Sequence, residues 1–330
     1  PVTLADGRAQ VTGQIALPLR RGVQLDEIDL NIAADLRDVR SVQLVPGRML
    51  RAARLNVAAD NDGLTISGPV QLGAARAAGR WQQQFGPEHR GRSQVTANIA
   101  LTQATLDEFK IALPDGMFAG EGRADLTIDL ATGSAPAFTL TSDLRGVRLA
   151  LPAIGWAKSA SQDGALRVSG RLGPVPQVDQ LQISGGGLQA DGRILLTDSG
   201  TFEAAIFSQI QIGNWFNAPV TVRGRGAGNP VGITINGGSL DLRRATFGGG
   251  SSSGDGGPMQ IALDRLQITE GIALTGFQGE FNGTGGFSGQ FTGQLNGAAQ
   301  IAGIVAPREG RTAVRVTSED AGAVVRAAGS

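Results

Sequence analysis

The residues that could carry out chemistry are few and scattered in this chain. Cysteine is absent, and the single histidine, His89, lies in the polar stretch 85–93 (FGPEHRGRS). Without cysteine the chain can form no disulfide, thiolate metal site or cysteine nucleophile. With one histidine, a zinc site or a Ser–His pair is hard to assemble, and we interpret His89 as a solvated loop side chain. The sequence therefore predicts no catalytic residue, no metal site, no cofactor and no enzymatic activity.

Two further patterns could have indicated an anionic ligand, and neither does. The glycine-rich stretch Gly224–Gly228 is followed neither by a helical pattern nor by a Gly-Lys-Ser/Thr ending, so a turn is the better interpretation. The chain has 29 basic and 29 acidic residues, a formal net charge of zero, and its arginines are spread along its length. A nucleic-acid-binding protein usually has a basic excess or a basic stripe, so we predict no nucleic-acid partner.

The elements that would position any site are short stretches of alternating apolar and polar residues. In Ala124–Leu130 (ADLTIDL), the apolar residues fall on one face of a strand and the Asp and Thr residues on the other. Asn61–Gly63 (NDG) is a tight-turn signal between two such stretches. This pattern predicts on the order of twenty short strands. We expect at most a few short helices, in 46–55 (PGRMLRAARL), from Ala104 onwards, and after Ser318–Asp320.

So many strands must close, split into sandwiches, stack or curl, because open sheets rarely exceed about ten strands. A membrane barrel needs aromatic girdles, but the chain has no Tyr and three Trp. Strand spacings vary, which argues against a solenoid, and no composition break marks tandem sandwiches. We predict an all-β fold, mostly β with a few short helices, in which a long, curled, mostly antiparallel sheet forms an elongated groove. Residues 1–330 would form one continuous β-rich region, with a flexible Gly/Ser loop over 248–258.

The sequence contains no stretch of about 20 apolar residues that could form a membrane-spanning helix. No signal peptide opens the chain, which begins at Pro1 and stops inside a helix-like run of small residues. We therefore expect it to be part of a longer protein.

Leu144–Lys158 (LRGVRLALPAIGWAK) resembles the AsmA-like superfamily of Gram-negative envelope proteins, in particular its YhdP-like branch. The likeness covers nearly the whole chain, as the C-terminal part of a larger protein. It also rests on 44–68 (LVPGRMLRAARLNVAADNDGLTISG), 138–152 (FTLTSDLRGVRLALP), 187–196 (GLQADGRILL), 229–248 (NPVGITINGGSLDLRRATFG), 263–269 (LDRLQIT) and 312–329 (TAVRVTSEDAGAVVRAAG).

The resemblance implies a periplasmic protein anchored in the inner membrane in its full-length form. Related proteins, including TamB-like ones, are long β-rich troughs that carry phospholipid between the inner and outer membranes. The expected partners are phospholipid, a membrane contacted through parts absent from this chain, and envelope proteins. The family has no catalytic residues to transfer.

The apolar members of the alternating stretches are the predicted lining of a lipid groove. Equally, they could pack against one another in a closed core. A structural or adhesive β-solenoid surface protein is the alternative function, and a β-helical lyase would need clustered carboxylates that the strand pattern disperses. The predicted lining residues are Leu126, Ile128, Leu130, Val147, Leu149, Leu181, Ile183, Ile194, Leu196, Ile233, Ile235, Ile261, Leu263, Ile272 and Leu274.

Overall fold

The computed structural model describes residues 4–21, 28–45, 47–111, 113–114, 116–151, 155–226, 228–245, 256–283, 286–308 and 311–328. Strands make up 65% of the structure, far above the roughly 20–25% of ordinary globular proteins. In the described residues, twenty strands belong to a mostly antiparallel sheet and two short α-helices are present. The predicted fold class, an all-β chain with a large, mostly antiparallel sheet and a few short helices, is confirmed.

The chain divides into two compact units, which are described separately. The N-terminal unit comprises Pro1–Arg148 and Leu166–Gly173, and the C-terminal unit comprises Leu149–Ala165 and Pro174–Ser330. Each unit contains its own run of sheet.

In the N-terminal unit, neighbouring strands along the chain are neighbours in the sheet. Each strand pairs antiparallel with the next, in the order β1, β2, β3, β4, β5, β6, β8, β9 and β12. The short strands β7, β10 and β11 lie outside this sheet, and the chain from Leu149 of β10 through β11 belongs to the C-terminal unit. The bounds are β1 (Asp6–Ala16), β2 (Asp29–Ser41), β3 (Leu50–Ala59), β4 (Gly63–Leu72), β5 (Ala75–Gln84), β6 (Arg92–Leu101), β7 (Phe118–Gly120), β8 (Gly122–Ala131), β9 (Ala137–Ser142), β10 (Val147–Leu151), β11 (Trp156–Lys158) and β12 (Gly164–Arg171).

The predicted turn at Asn61–Gly63 is confirmed, since it joins β3 to β4. The carboxylate of Asp60 accepts hydrogen bonds from the backbone N–H groups of Asp62 (3.0 Å) and Gly63 (2.9 Å). A single 3-10 turn, Pro87–His89, follows β5. Short local turns therefore fix the register between successive strands.

Helix α1 (Gln103–Glu108) follows β6 and confirms the helical turn predicted after Ala104. Thr102 has an extended backbone, and its hydroxyl accepts a hydrogen bond from the N–H of Thr105 (3.2 Å), the usual geometry of an N-cap. Thr105 and Leu106 are buried. The helix thus packs one side, that of Thr105 and Leu106, against the N-terminal unit.

The prediction of a short helix over 46–55 is wrong in the part that the structure describes. Leu50–Ala59 is strand β3, hydrogen-bonded to β2 on one side and β4 on the other. Ala52 and Leu55 are both buried in one cluster with Val39. Their spacing of three residues imitates a helical face, but it arises because the strand shifts register between them.

The C-terminal unit has the same sequential plan with one interruption. Strands β13 to β16 and β19 to β23 pair antiparallel in order, while β17 and β18 both lie between β16 and β19 and run parallel to β19. The bounds are β13 (Gln177–Gly185), β14 (Leu188–Leu196), β15 (Phe202–Ile212), β16 (Phe216–Arg223), β17 (Gly232–Asn236), β18 (Ser239–Asp241), β19 (Gly256–Gln267), β20 (Ala273–Gly283), β21 (Ser288–Leu295), β22 (Ala299–Arg308) and β23 (Arg311–Thr317). Of the loop predicted over 248–258, residues 248–255 lie outside the described residues and Gly256–Pro258 begin β19.

Strand β11, which follows β10, lies at a buried corner of the C-terminal unit. The indole N–H of Trp156 donates to the carbonyl oxygens of Gly185 (3.2 Å) and Gly186 (3.1 Å), at the turn between β13 and β14. Lys158 is fully buried, and its ammonium donates to the carbonyl of Ser159 (3.0 Å). Both buried polar groups therefore have hydrogen-bond partners, as buried polar groups in folded proteins usually do.

Four phenylalanine rings pack together in the C-terminal unit. Phe277 and Phe281 are buried in a cluster with Leu263, Leu274 and other aliphatic residues, which we call the phenylalanine core. The ring centroids of Phe277 and Phe291 lie 5.5 Å apart, and Phe281 stacks on Phe287 at 5.1 Å. The Phe291 ring covers Gly303 on the neighbouring strand so closely that a Cβ at that position would overlap it. The alternation of Phe and Gly in this part of the sequence is thus a packing device, in which a ring occupies the space over a glycine.

Helix α2 (Ala321–Ala328) confirms the helix predicted after Ser318–Asp320. The carboxylate of Asp320 accepts a hydrogen bond from the N–H of Ala323 (2.8 Å) and caps the helix. Ala323 and Val324 pack against the phenylalanine core, whereas Val325 is 72% exposed.

We expect Gly303→Ala to lower the free energy of unfolding by about 1–3 kcal/mol, because the new methyl group must displace the Phe291 ring. Gly271→Ala is the matched control, since no atom lies within 4 Å of a Cβ built there. Urea unfolding followed by far-UV circular dichroism measures both. Equal losses in the two variants would contradict the packing role of Gly303.

Candidate functional site: an apolar sheet face

One face of the N-terminal sheet carries an unbroken row of apolar residues that crosses every strand. The register pairs each member directly with the next, and glycine takes the last position. At about 4.8 Å between strands, the row extends for roughly 40 Å. Its members, from β1 to β12, are Val11, Ala34, Val57, Ile66, Trp81, Val95, Ile128, Phe138 and Gly170.

The opposite face of the same sheet is polar in the corresponding row. Amide side chains there donate to carboxylates on the next strand, as in Gln94 to Asp129 and Asn98 to Asp125, both at 2.8 Å. The row consists of Gln10, Asp35, Asn56, Ser67, Arg80, Thr96, Thr127, Thr139 and Ser169. The sheet therefore has one wettable face and one apolar face along its whole width.

The apolar row is only partly shielded from solvent. Its members from Ala34 to Phe138 are half-buried, and Val11 on the edge strand β1 is 62% exposed. In a closed core such residues would be buried throughout. In the described part of this unit the face is fully buried only locally, for instance near α1, where Ile99, Leu101 and Leu106 lie.

Glu108 holds α1 over that closed end. Its carboxylate accepts a hydrogen bond from the N–H of Ala74 (2.8 Å) and forms an ion pair with Arg48, whose guanidinium lies 4.7 Å from the centre of the Phe109 ring. The Ala74 hydrogen bond, followed by the Arg48 interactions, lowers the pKa of Glu108 against an opposing effect of desolvation. The ionised carboxylate thus ties α1 to the β2–β3 and β4–β5 connections.

The C-terminal sheet carries two comparable apolar rows. Neighbours in each are again direct register partners, including the parallel pairing of β17 with β19. The first is Val178, Ile194, Ala205, Val222, Ile233, Met259, Phe281, Gly289, Val305 and Val314. The second is Leu181, Gly192, Phe207, Val220, Ile235, Ile261, Gly279, Phe291, Gly303 and Val316.

Shielding of these rows changes along the C-terminal unit. Val178, Ile194 and Ile233, on β13, β14 and β17, are half-buried. Phe281 on β20 and Val305 on β22 are 7% and 6% exposed, because the phenylalanine core and α2 cover them. The face is therefore partly open from β13 to β19 and filled from β20 to β22.

Most of the predicted lining residues lie on these faces. Seven belong to the rows described above or to the row next to them: Leu126, Ile128, Leu181, Ile194, Ile233, Ile235 and Ile261. Leu130, Ile183 and Leu196 lie on the same strands, opposite Ser93, Ala190 and Phe202. Leu263, opposite Phe277, is buried in the phenylalanine core.

The structure places the other four predicted residues elsewhere. Val147 and Leu149 are buried in β10, outside the large sheet, with exposures of 0% and 6%. Leu274 is buried in the phenylalanine core, and Ile272 packs against that core just before β20. These residues are packing elements of their unit and do not continue the apolar rows.

Sequence reasoning missed several members of the N-terminal row, notably Ile66, Trp81, Val95 and Phe138. A usable signal was present, because the tight turn at Asn61–Gly63 fixes the register between β3 and β4 and so places Val57 opposite Ile66. The Trp81 indole N–H is bound to the hydroxyl of Ser93 (3.2 Å), so this polar group is satisfied within the face.

The described residues offer little for catalysis. They contain no group of three or more His, Cys, Asp or Glu side chains placed to hold a metal ion. His89 lies beside Glu88 (3.4 Å) on an exposed turn. None of the described helices is both long and apolar enough to cross a membrane.

Comparisons with known proteins do not assign a family. No protein-family model matches the chain, and neither curated proteins nor solved structures give a significant match.

Because the folded-state pKa of Glu108 is lowered, its carboxylate stabilises the fold at neutral pH, and this contribution is lost as the pH falls through that lowered pKa. We expect Glu108→Gln to have a lower Tm than the wild-type protein at neutral pH, with the difference shrinking in acid. Thermal unfolding followed by circular dichroism across the pH range measures this. Asp107→Asn, one residue earlier on the same helix, is the control and should have the same Tm as the wild-type protein at each pH. A constant Tm difference at all pH values would refute the role of the ionised carboxylate.

Proposed function

We propose that the apolar faces bind phospholipid acyl chains, and that the protein is a non-enzymatic carrier of phospholipid between the inner and outer membranes of a Gram-negative envelope. The observation that carries this proposal is the continuous apolar row from Val11 to Phe138, which is half-buried from Ala34 onwards. In the full-length protein, this chain would be periplasmic and anchored in the inner membrane through parts outside it, as the AsmA-like resemblance implies.

The energetics favour such a surface. Each methylene that leaves an apolar environment for water costs about 0.8 kcal/mol, so a sixteen-carbon chain crossing water faces a barrier of roughly 12 kcal/mol. A row of Val, Ile, Phe and Trp side chains removes much of that barrier without any reactive group. Because successive members are strand neighbours, a chain lying along the row meets a new apolar contact about every 4.8 Å.

The charge distribution supports the same use. The members of the N-terminal row carry no ionisable group, and the charged residues of these strands, such as Asp125, Asp129 and Arg80, lie on the other face. An acyl chain could therefore move along the row without displacing a buried charge. The polar headgroup would stay in solvent, which requires no headgroup-specific pocket.

The alternative function, a structural or adhesive β-solenoid, gains no support from the strand pairing. A β-helical stalk stacks parallel coils of constant length. Here consecutive strands pair antiparallel in the N-terminal unit, and only β17 and β18 run parallel to a neighbour in the described part of the C-terminal unit.

The first test is retention of lipid by the purified protein. We expect native mass spectrometry of the wild-type chain, expressed in a Gram-negative host, to detect bound phospholipid. Ile128→Asp should lower the bound fraction at least about tenfold, because a carboxylate buried against an acyl chain is strongly unfavourable. Thr96→Asp is the matched control. Thr96 lies on the adjacent strand on the polar face, opposite Arg80, and its substitution should leave retention unchanged.

A photoreactive side chain separates loss of binding from loss of folding. Benzoylphenylalanine at position 128 or 183 should cross-link to phospholipid, whereas the same group at 96 should not. Far-UV circular dichroism checks that the sheet persists in Ile128→Asp and Ile183→Asp. Absence of lipid from the wild-type protein, or equal cross-linking from both faces, would refute the proposal.

A further inference from the structure

One end of the N-terminal unit carries exposed apolar residues from two separate segments. Val42 and Leu44, after β2, are 58% and 52% exposed. Phe109, Ile111 and Leu113, after α1, are 39%, 47% and 37% exposed. Large aliphatic side chains are rarely left in water in such a cluster, which usually marks an interaction site.

Hydrogen bonds show that these segments lie at the same end of the unit. The carbonyl of Met49, just before β3, accepts from the N–H of Gly73 (3.1 Å) in the β4–β5 turn. Arg48 pairs with Glu108 of α1 and lies against Phe109. Arg48 thus ties the connection that bears Val42, Leu44 and Met49 to the end of α1, after which Phe109, Ile111 and Leu113 follow. We call these six residues the apolar end.

A row of arginines on the polar sheet face borders the apolar end. The register places Arg40 opposite Arg51, Arg51 opposite Gln71, and Gln71 opposite Arg76. All three arginines are exposed and, within the described part of the chain, they form no ion pair; Asp6 is the acidic residue opposite Arg40. Like charges directly opposite on neighbouring strands destabilise a sheet, so an anionic partner would relieve a cost built into the fold.

We propose that the apolar end is a membrane-docking surface that binds an anionic phospholipid bilayer. In this arrangement Val42, Leu44 and their neighbours enter the acyl boundary while Arg40, Arg51 and Arg76 remain at the headgroup phosphates. Peripheral membrane proteins use the same arrangement, with apolar side chains in the acyl region of the bilayer and cationic groups at the headgroups. Lys110, between Phe109 and Ile111, adds a further exposed cation at the same end.

A bilayer fits this surface better than a nucleic acid. The row from Arg40 to Arg76 includes no aromatic side chain on which bases could stack. A nucleic acid would also leave Val42 and Leu44 in water. The docking surface uses other residues than the acyl-binding row, so the two proposals can fail independently.

Vesicle sedimentation tests the charges. The wild-type chain should bind vesicles of phosphatidylcholine mixed with phosphatidylglycerol, bind phosphatidylcholine alone much more weakly, and release at high salt. Arg40→Gln/Arg51→Gln/Arg76→Gln should weaken binding about a hundredfold, since each arginine near an anionic surface contributes about 1 kcal/mol. Arg171→Gln/Arg193→Gln/Arg223→Gln, exposed arginines on other strands, removes the same charge and should bind as the wild-type protein does.

A second pair of variants tests the apolar contacts. Val42→Ser/Leu44→Ser should weaken binding about tenfold, whereas Ile304→Ser/Val325→Ser should not, although those residues are at least as exposed (58% and 72%). Because the chain has no cysteine, Leu44→Cys carries a single environment-sensitive dye, which should report an apolar environment with anionic vesicles. The same dye at Ile304→Cys should report water.

Failure of the wild-type chain to bind anionic vesicles would overturn the proposal, as would equal losses in the test and control variants. Competition by heparin together with normal binding of Val42→Ser/Leu44→Ser would instead indicate a general polyanion site and would likewise overturn it.

Discussion

Strand register is the constraint on which the structure depends. Side chains alternate between faces, so a shift of one residue in any pairing would move a whole strand's apolar set to the polar face. Between β2 and β3 the irregularities are matched, so the pairing of their apolar residues is kept. Leu36 and Val39 on β2 are three residues apart, as are their partners Leu55 and Ala52 on β3, and all four pack in one cluster. Asp38, with a φ of 54°, makes the compensating bend on β2.

A face kept apolar by register must still be covered or remain in contact with water, and the two units resolve this differently. In the N-terminal unit, α1 covers one end and is held there by Glu108. In the C-terminal unit, phenylalanine rings lie over glycines and α2 adds a second layer. Ring-over-glycine packing closes the face locally, whereas from β13 to β19 most members of the apolar rows stay half-buried and only Ala205 and Val220 among them are buried. Cover is thus placed at particular positions, and the uncovered stretches are the ones available to a ligand.

Much of the fold could be predicted from alternation and turn chemistry, because both act over a few residues. The β3–β4 turn, the helix after Asp320 and the strand Ala124–Leu130 all follow from local signals. The strand over Leu50–Ala59 could not be recognised, since its buried residues are three apart because of a register shift against β4 that the sequence does not reveal. Val147 and Leu149 alternate as a sheet strand does, yet β10 is short and buried outside the large sheet. Alternation identifies a strand with two different faces, but it does not identify what covers the apolar one.

The two proposed surfaces use opposite consequences of the same alternation. On β2, Ala34 and Leu36 belong to the apolar face, while Arg37 and Arg40 lie on the polar face. A strand that keeps one face apolar must carry its charges on the other face. Where neighbouring strands both carry arginine at paired positions, the electrostatic repulsion is concentrated at that point of the polar face. That place lies where β2 and β3 are joined by a segment bearing Val42 and Leu44. A lipid bilayer offers both phosphate charge for the arginines and an apolar interior for the tips. Lipid binding along the apolar face and membrane contact at the apolar end are therefore chemically compatible uses of one sheet.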